Sequence, residues 1–174
     1  MSFLDPREAV KEFGIKEGMT VADFGSGAGH FVLALALLVG RNGLVYALDI
    51  RDEALEVTRG YATMQGALQI RTVHADLELP NGSTLEEGSV DQVLCSNILH
   101  QVEDAPSVLR EARRILKPHG TLVVLEWDGS SPMAPAGAIS KEDMHTLAGE
   151  AGFVPERQID AGDAHYGLVF SVRE

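Results

Sequence analysis

An α/β fold on a mostly parallel sheet is predicted by two features of this sequence. Short β-branched or apolar runs alternate with longer helical segments, which is typical of strand–helix–strand units around a parallel sheet. The last two predicted strands are joined by the turn-rich segment Asp160–Asp163, which is long enough for an antiparallel hairpin and too short for a parallel crossover. We therefore expect one domain over residues 1–174, with a mixed sheet whose terminal strand runs against the others.

The strands are recognised as short apolar runs that begin or end at turn residues. In chain order they are predicted at Met19–Phe24, Leu44–Leu48, Leu68–His74, Val90–Cys95, Gly120–Glu126, Phe153–Gln158 and His165–Val172. The segment from Asp128 to Ser140 is rich in proline, glycine and serine, so we expect residues 128–140 to form a short substrate loop.

The helices are recognised by their periodicity and by the residues that begin and end them. An N-terminal helical segment is expected within residues 1–17, and a second helix over Gly29–Val39. Asp52 is expected to cap a third helix that runs to Met64. A fourth covers Ala105–Leu116, with Pro118 and Gly120 marking its end. Ser140 and Asp143 have capping-box spacing, so a fifth helix should run from there to Glu150.

Charge and composition exclude several classes of partner. The formal net charge is −12, which repels nucleic-acid phosphates and anionic membranes. The longest apolar run, Phe31–Val39, is far shorter than the ~20 residues of a membrane span. The first residues, Met1–Pro6, lack the basic and apolar regions of a signal peptide. We expect a cytoplasmic protein with a small-molecule partner, no nucleic acid and no membrane span.

Cysteine and histidine usage points away from metal binding. Cys95 is the only cysteine, so it cannot form an internal disulfide. It lies inside a predicted strand, where it is expected to serve as a small apolar residue of the core. No zinc-type ligand spacing occurs, and we expect no metal site.

A glycine-rich turn after the first strand is the strongest local motif. The run Gly25–Gly29 has the spacing G-x-G-x-G and follows Asp23, at the end of a strand and the start of a helix. Such a turn brings backbone amides close to a ligand. The dinucleotide pattern G-x-G-x-x-G needs a glycine where this chain has His30, so it is not matched. We expect Asp23, Gly25, Ser26, Gly27 and Gly29 to bind a cofactor.

Polar residues follow three other strands. Asp49 comes 24 residues after Gly25, at a position suited to ribose hydroxyls, although it could instead cap the next helix. Asp76 could accept from an exocyclic amine or be an ordinary loop acid. Ser96 and Asn97 end the fourth strand, where strand order is expected to reverse and ligands bind in open α/β sheets.

Together these motifs resemble a class I S-adenosylmethionine-dependent methyltransferase, most closely the branch of ubiquinone and menaquinone C-methyltransferases. The resemblance rests on Met19–Phe31, Asp49, Ala75-Asp76, Asp91–Asp104 and Leu116–Leu122. It implies a Rossmann-like three-layer sandwich with seven strands in the order 3-2-1-4-5-7-6 and one antiparallel strand. It also implies S-adenosylmethionine as the cofactor. The glycine turn and Asp23 would hold its methionine part, Asp49 its ribose, and Asp76 with Leu77 its adenine. Ile50 and Ser96 are the further cofactor residues that we expect.

The same resemblance predicts in-line methyl transfer to a small acceptor, with S-adenosylhomocysteine as the product. If the acceptor is a phenol, an enol or a carbon acid, a base would help, and His100 is the candidate catalytic residue. Asn97, His100 and Trp127 are expected to contact the acceptor. Because the chain is short for this branch, we expect an acceptor smaller than a lipophilic quinone. A neighbouring subunit could complete the site in a homo-oligomer.

Two alternatives stay open: a cofactor-binding module without catalysis, and an NAD-dependent oxidoreductase.

Overall fold

The computed structural model describes residues 4–173 and contains one seven-stranded sheet. Its strands are β1 (Thr20–Phe24), β2 (Leu44–Asp49), β3 (Ile70–His74), β4 (Val90–Ser96), β5 (Leu116–Trp127), β6 (Phe153–Ile159) and β7 (His165–Val172). They lie in the order β3-β2-β1-β4-β5-β7-β6. Strands β1 to β5 pair in parallel, and β7 runs antiparallel to both β5 and β6. The predicted strand order and the single reversed strand are confirmed.

Helices cover both faces of this sheet. They are α1 (Pro6–Ala9), α2 (His30–Val39), α3 (Asp52–Gln65), α4 (Ala105–Ile115) and α5 (Lys141–Glu150), with a 3₁₀ turn at Val10–Glu12 after α1. One core cluster combines apolar residues of α4 and α5 with the sheet, and a second combines those of α1 and α2 with its opposite face. The predicted N-terminal helical segment is therefore present as α1 and the 3₁₀ turn, while its residues 1–3 lie outside the described residues. No helix in residues 4–173 is long and apolar enough to cross a bilayer.

The strand order places the functional residues at one edge of the sheet. The carboxyl ends of β1, β2, β3, β4 and β5 meet at this edge, which we call the rim. Because β7 is antiparallel, its first residue lies at the rim too, where His165 pairs with Trp127 at the end of β5. Strand order reverses between β1 and β4, so the residues that follow these two strands border the crevice where ligands bind in such sheets.

Three predicted boundaries were wrong. Asp52 does not cap α3: the cap residue is Arg51, which makes no side-chain capping bond, and Asp52 is the first helical residue. Strand β3 begins at Ile70 because Leu68 lies in an exposed turn after α3. Strand β5 begins at Leu116, where the backbone is already extended, so the residues from Pro118 to Gly120 interrupt a strand and do not terminate a helix.

The predicted cap of α5 is confirmed: Ser140 caps the helix, and its side chain also bonds to that of Asp143. The Asp143 amide donates to Ser140 Oγ at 3.1 Å, and Ser140 Oγ donates to Asp143 Oδ2 at 2.7 Å. Cys95 is fully buried in β4, as expected of a core residue, and burial followed by the nearby Glu126 and Asp23 raises the pKa of its thiol. The thiol therefore stays protonated and is not a nucleophile.

Candidate active site

A cleft of about 290 Å³ opens at the rim between the ends of β1, β2, β3 and β4. Six predicted cofactor or acceptor residues line it: Gly25, Asp49, Ile50, Asp76, Leu77 and Asn97. Ile98, Gln101 and Val102 from the segment after β4 close the side that faces Asp76. The sequence motifs are thus brought to one place from four separate strands.

Two positions of the glycine turn, Gly25 and Gly29, leave no room for a side chain. Gly25 and Gly29 have φ angles of 70° and 81°, in the left-handed region that disfavours side chains. A Cβ on Gly25 would lie 2.4 Å from Ile98 Cδ1, and a Cβ on Gly29 would lie 2.6 Å from Thr58 Oγ1. Ile98 lines the cleft and Thr58 is a buried residue of α3, so the two glycines permit the close approach of the turn to the cleft wall and to α3.

Asp49 is the best-bonded acid of the cleft. Its Oδ2 accepts from the Gly27 amide at 2.8 Å, and its Oδ1 accepts from the Arg51 amide at 2.9 Å and from Arg51 Nε at 3.2 Å. Burial acts to raise the pKa of Asp49, but the bonds from Arg51 and Gly27 outweigh it, and the pKa lies below its usual range. Asp49 is therefore ionised at neutral pH. A carboxylate can accept hydrogen bonds from ribose hydroxyls, and its negative charge would repel a phosphate on the ribose.

The pKa of Asp23 is shifted in the opposite direction from that of Asp49. It is almost fully buried at the end of β1, and its Oδ2 has no hydrogen-bond partner within residues 4–173. Burial, followed by repulsion from Asp49, raises its pKa to about 8. Asp23 is therefore largely protonated at pH 7, unless a cationic group comes near it.

The residues present fit S-adenosylmethionine. Within the described chain, buried polar oxygens without a partner occur at the rim on Asp23, Ser26 and Asn97. Helix α2 begins at Gly29 with no side-chain cap and no acid in its first turn, so its amino-terminal amides and dipole are open to a carboxylate. A ligand with an amino-acid end, a ribose and a base would place the amino-acid end near Asp23, the ribose at Asp49 and the base at Asp76.

The acid after β3 is held by its own turn. Asp76 Oδ1 accepts from the Glu78 amide at 3.1 Å, and Leu77 is buried beside it. His74 Nε2 lies 2.9 Å from the carbonyl oxygen of Ile50, which joins the ends of β2 and β3. This arrangement leaves Asp76 facing the cleft, where the resemblance places adenine.

A second group of side chains lies at the rim beyond Asn97. His100 Nδ1 is 2.7 Å from Glu126 Oε2, and Glu126 Oε1 accepts from the Leu99 amide at 2.8 Å. The Glu126 side chain is fully buried and that of His100 is 8% exposed. With Glu126 as the acceptor, Nδ1 carries the proton and Nε2 of a neutral His100 keeps a free lone pair. This pair is what a general base requires: a lone pair on Nε2 and a carboxyl group that stabilises the imidazolium.

Trp127 and His165 complete this group. Their ring centroids are 4.2 Å apart with an angle of 33° between the ring planes. His100, Trp127 and His165 are called the histidine cluster below. The segment over residues 128–140, which the sequence predicts to be a substrate loop, starts next to it, with the Asp128 amide donating to Ala164 O at 2.9 Å. Tyr166 is buried, and its hydroxyl donates to Ile139 O at 2.9 Å, which holds the end of that segment in place.

Some sequence expectations fit less well. Ser96 ends β4 but does not line the cleft. The basic residues Arg110, Arg113, Arg114 and Lys117 do not form one solvated helix face: Lys117 lies on β5 and binds Asp91, and Arg114 binds the buried Glu111. Two important residues, Arg51 and Glu126, were not predicted. Glu126 had a signal, since it is the one acid at the end of the apolar run Leu122–Leu125.

Comparison with known proteins identifies the family. A family model described as a methyltransferase domain matches residues 15–164. Demethylmenaquinone methyltransferase of Staphylococcus aureus (strain MRSA252) is 34% identical over 130 residues, which are 74% of this chain and 51% of that protein. The chain thus spans about half the length of the curated relatives that it matches.

Solved structures agree with this assignment. An S-adenosylmethionine-dependent methyltransferase from Aquifex aeolicus superposes with a TM-score of 0.86 and 26% identity, over 98% of this chain and 90% of that one. An arsenic(III) S-adenosylmethionine methyltransferase from Chlamydomonas reinhardtii gives a TM-score of 0.75 at 23% identity, over 100% of this chain and 75% of that one, which shows a shared fold. The cofactor class is therefore that of S-adenosylmethionine and not of nicotinamide. By its family model and its fold, the chain belongs to the class I S-adenosylmethionine-dependent methyltransferases.

Proposed function

We propose that this chain transfers the methyl group of S-adenosylmethionine to a small acceptor whose attacking atom must first lose a proton to His100. The observation that carries the proposal is the 2.7 Å contact between His100 Nδ1 and the buried Glu126, next to the cofactor cleft. A module that only binds cofactor has no use for such a pair. Phenols, enols and carbon acids are the acceptor classes that need a base of this kind.

The chemistry divides between cofactor and protein. The bound cofactor supplies an electrophilic methyl group and a neutral thioether leaving group. Orientation of the two reactants can lower the barrier by about 7–11 kcal/mol. His100 Nε2 accepts the acceptor's proton as its oxygen or carbon attacks, and Glu126 stabilises the imidazolium. Asn97 and Trp127 border the place where the acceptor would lie.

The acceptor is expected to be compact. The relatives from Staphylococcus aureus are named for demethylmenaquinone, and we propose a smaller acceptor for this chain because the segment over the histidine cluster, residues 128–140, is brief. We further propose that the chain forms one domain and works in the cytoplasm without nucleic acid. A homo-oligomer in which a second copy covers the acceptor remains a prediction.

The first experiment requires no knowledge of the acceptor. The purified protein is titrated calorimetrically with S-adenosylmethionine, S-adenosylhomocysteine and a reduced nicotinamide. Binding of the two sulfur compounds at micromolar concentration, and of no nicotinamide, is the expected result. If neither sulfur compound binds, the proposal is wrong at the cofactor step.

The second experiment tests catalysis. A panel of phenols, enols, amines and thiols is screened for S-adenosylhomocysteine production, and the active acceptor is given to the His100→Gln variant. We expect normal cofactor binding and turnover lower by roughly 10²-fold or more, the usual contribution of a general base. Normal turnover would remove His100 from the chemistry. A panel on which the wild type is inactive, despite cofactor binding, would favour a cofactor-binding module without catalysis.

A further inference from the structure

His165 is a residue of the rim to which the proposed reaction has so far given no task. It comes from the far end of the chain and reaches the rim because β7 is antiparallel and pairs His165 with Trp127. The sequence offers no motif around it. Its position at the rim, within electrostatic reach of His100, is therefore a product of sheet topology.

The ring nitrogens of His165 are unusual in having nothing to bind. Both Nδ1 and Nε2 are buried, and neither has a hydrogen-bond partner in the part of the chain that the structure describes. A neutral imidazole has one N–H donor and one lone pair, and leaving such groups buried and unpaired destabilises a protein. Buried polar groups of this kind usually have a partner, so the pair of nitrogens points to a ligand.

The surroundings of His165 favour the neutral ring. Burial, and then the positive charge that His100 can carry, lowers the pKa of His165. Contact with the tilted Trp127 ring helps to hold the half-buried imidazole in place. When His100 takes up the acceptor's proton, His165 stays uncharged and its N–H can donate to an oxygen without adding a second positive charge.

We propose that His165 is an acceptor-binding residue that donates a hydrogen bond to a second oxygen of the methyl acceptor, beside the group that His100 deprotonates. This inference rests on the proposed function, in which the acceptor lies at the histidine cluster. The chemical class that fits is a compact ring or enol with two oxygens. One oxygen or its neighbouring carbon faces His100 and the other faces His165.

The test uses phenol and the three dihydroxybenzenes as probes, because these vary the spacing of the second oxygen while the ring stays the same. Binding to protein saturated with S-adenosylhomocysteine is measured by ligand-observed NMR for the wild type, His165→Phe and His165→Gln. Phenylalanine retains a ring against Trp127 and removes both nitrogens, and glutamine restores a donor. Melting temperature and S-adenosylhomocysteine affinity confirm that the variants are folded.

We expect at least one dihydroxybenzene to bind the wild type about tenfold more tightly than phenol, as one hydrogen bond to a buried group allows. This advantage should disappear in His165→Phe and return in part in His165→Gln, while phenol binds all three proteins alike. The inference is wrong if no isomer binds better than phenol, or if the advantage survives in His165→Phe. Failure of S-adenosylhomocysteine to bind the wild type would instead overturn the proposed function and this inference with it.

Discussion

The carboxyl group of Glu126 joins two successive residues of the segment after β4: it bonds to His100 Nδ1 at 2.7 Å and to the Leu99 amide at 2.8 Å. One buried side chain of β5 thereby fixes both the backbone that carries His100 and the orientation of its ring. The free Nε2 of His100 follows from this contact. Glu126 is a positioning residue, since it acts through His100.

Replacement of Glu126 by glutamine should reduce turnover without weakening cofactor binding. The glutamine amide can donate to His100 Nδ1, which moves the ring proton to Nε2 and removes the basic lone pair. We expect kcat to fall by roughly 10²-fold. The Kd for S-adenosylhomocysteine should not change. The decisive measurement is kcat against the KM of the acceptor: kcat should fall while this KM stays close to that of the wild type, because Glu126 acts through His100. An unchanged kcat would mean that Glu126 serves only to hold the loop.

Arg51 should compete with the cofactor for Asp49, the acid that we propose to bind its ribose. Besides the two amide bonds, Asp49 accepts from Arg51 Nε at 3.2 Å and from Nη2 at 3.4 Å, which uses the lone pairs that ribose hydroxyls would need. The Arg51 side chain is 66% exposed, so the pair is screened and contributes only ~0.5–1 kcal/mol. Arg51→Met should therefore bind S-adenosylmethionine about two- to fivefold more tightly by calorimetry.

The matched control is Arg59→Met, which removes the same charge from an exposed position on α3 where the guanidinium bonds to Thr72. Its cofactor affinity should equal that of the wild type. If Arg51→Met instead binds more weakly, then the guanidinium holds the cofactor and the competition does not exist.

Asp23 should make stability fall as the pH rises. Its pKa is raised from 3.8 to about 8, by burial and then by Asp49, so between these values the folded protein binds a proton that the unfolded chain has lost. Stability from this group is complete below pH 3.8 and is lost as the pH rises through about 8. In Asp23→Asn the side chain no longer titrates. The difference in melting temperature, variant minus wild type, should increase from pH 5 to about pH 8 and level off above it. Asp52→Asn, at an exposed carboxylate, should show no such trend.

Glu111 should matter for stability and not for catalysis. Its side chain is 4% exposed and accepts from Arg114 Nη2 at 2.7 Å and from the Ser83 amide at 3.0 Å, which anchors the segment before β4 to α4. Removal of one partner from such a buried set destabilises by about 3 kcal/mol, so Glu111→Ala should melt roughly 6–12 °C lower. Glu8→Ala, which breaks an exposed pair with Lys11, should melt like the wild type. Equal melting temperatures for the two variants would contradict this assignment.

Much of the fold could be predicted from local pattern. The alternation of strands and helices, the hairpin of β6 and β7 and the cap of α5 at Ser140 depend on neighbouring residues, so they are visible in the sequence. The errors arose where local rules compete. Pro118 and Gly120 resemble a helix end, yet the backbone is already extended at Leu116, because pairing of β5 with β4 begins there.

The residues proposed to bind the cofactor could be predicted from the sequence, because the glycine turn, Asp49 and Asp76 lie at the carboxyl ends of three strands and parallel strands end at one rim. The proposed acceptor residues depend on tertiary structure. His100 and Glu126 are 26 residues apart, and His165 meets Trp127 through an antiparallel pairing at the end of the chain. Which buried side chains meet depends on strand register and on the side of the sheet that each one faces. Those are properties of the assembled sheet, and no local pattern contains them.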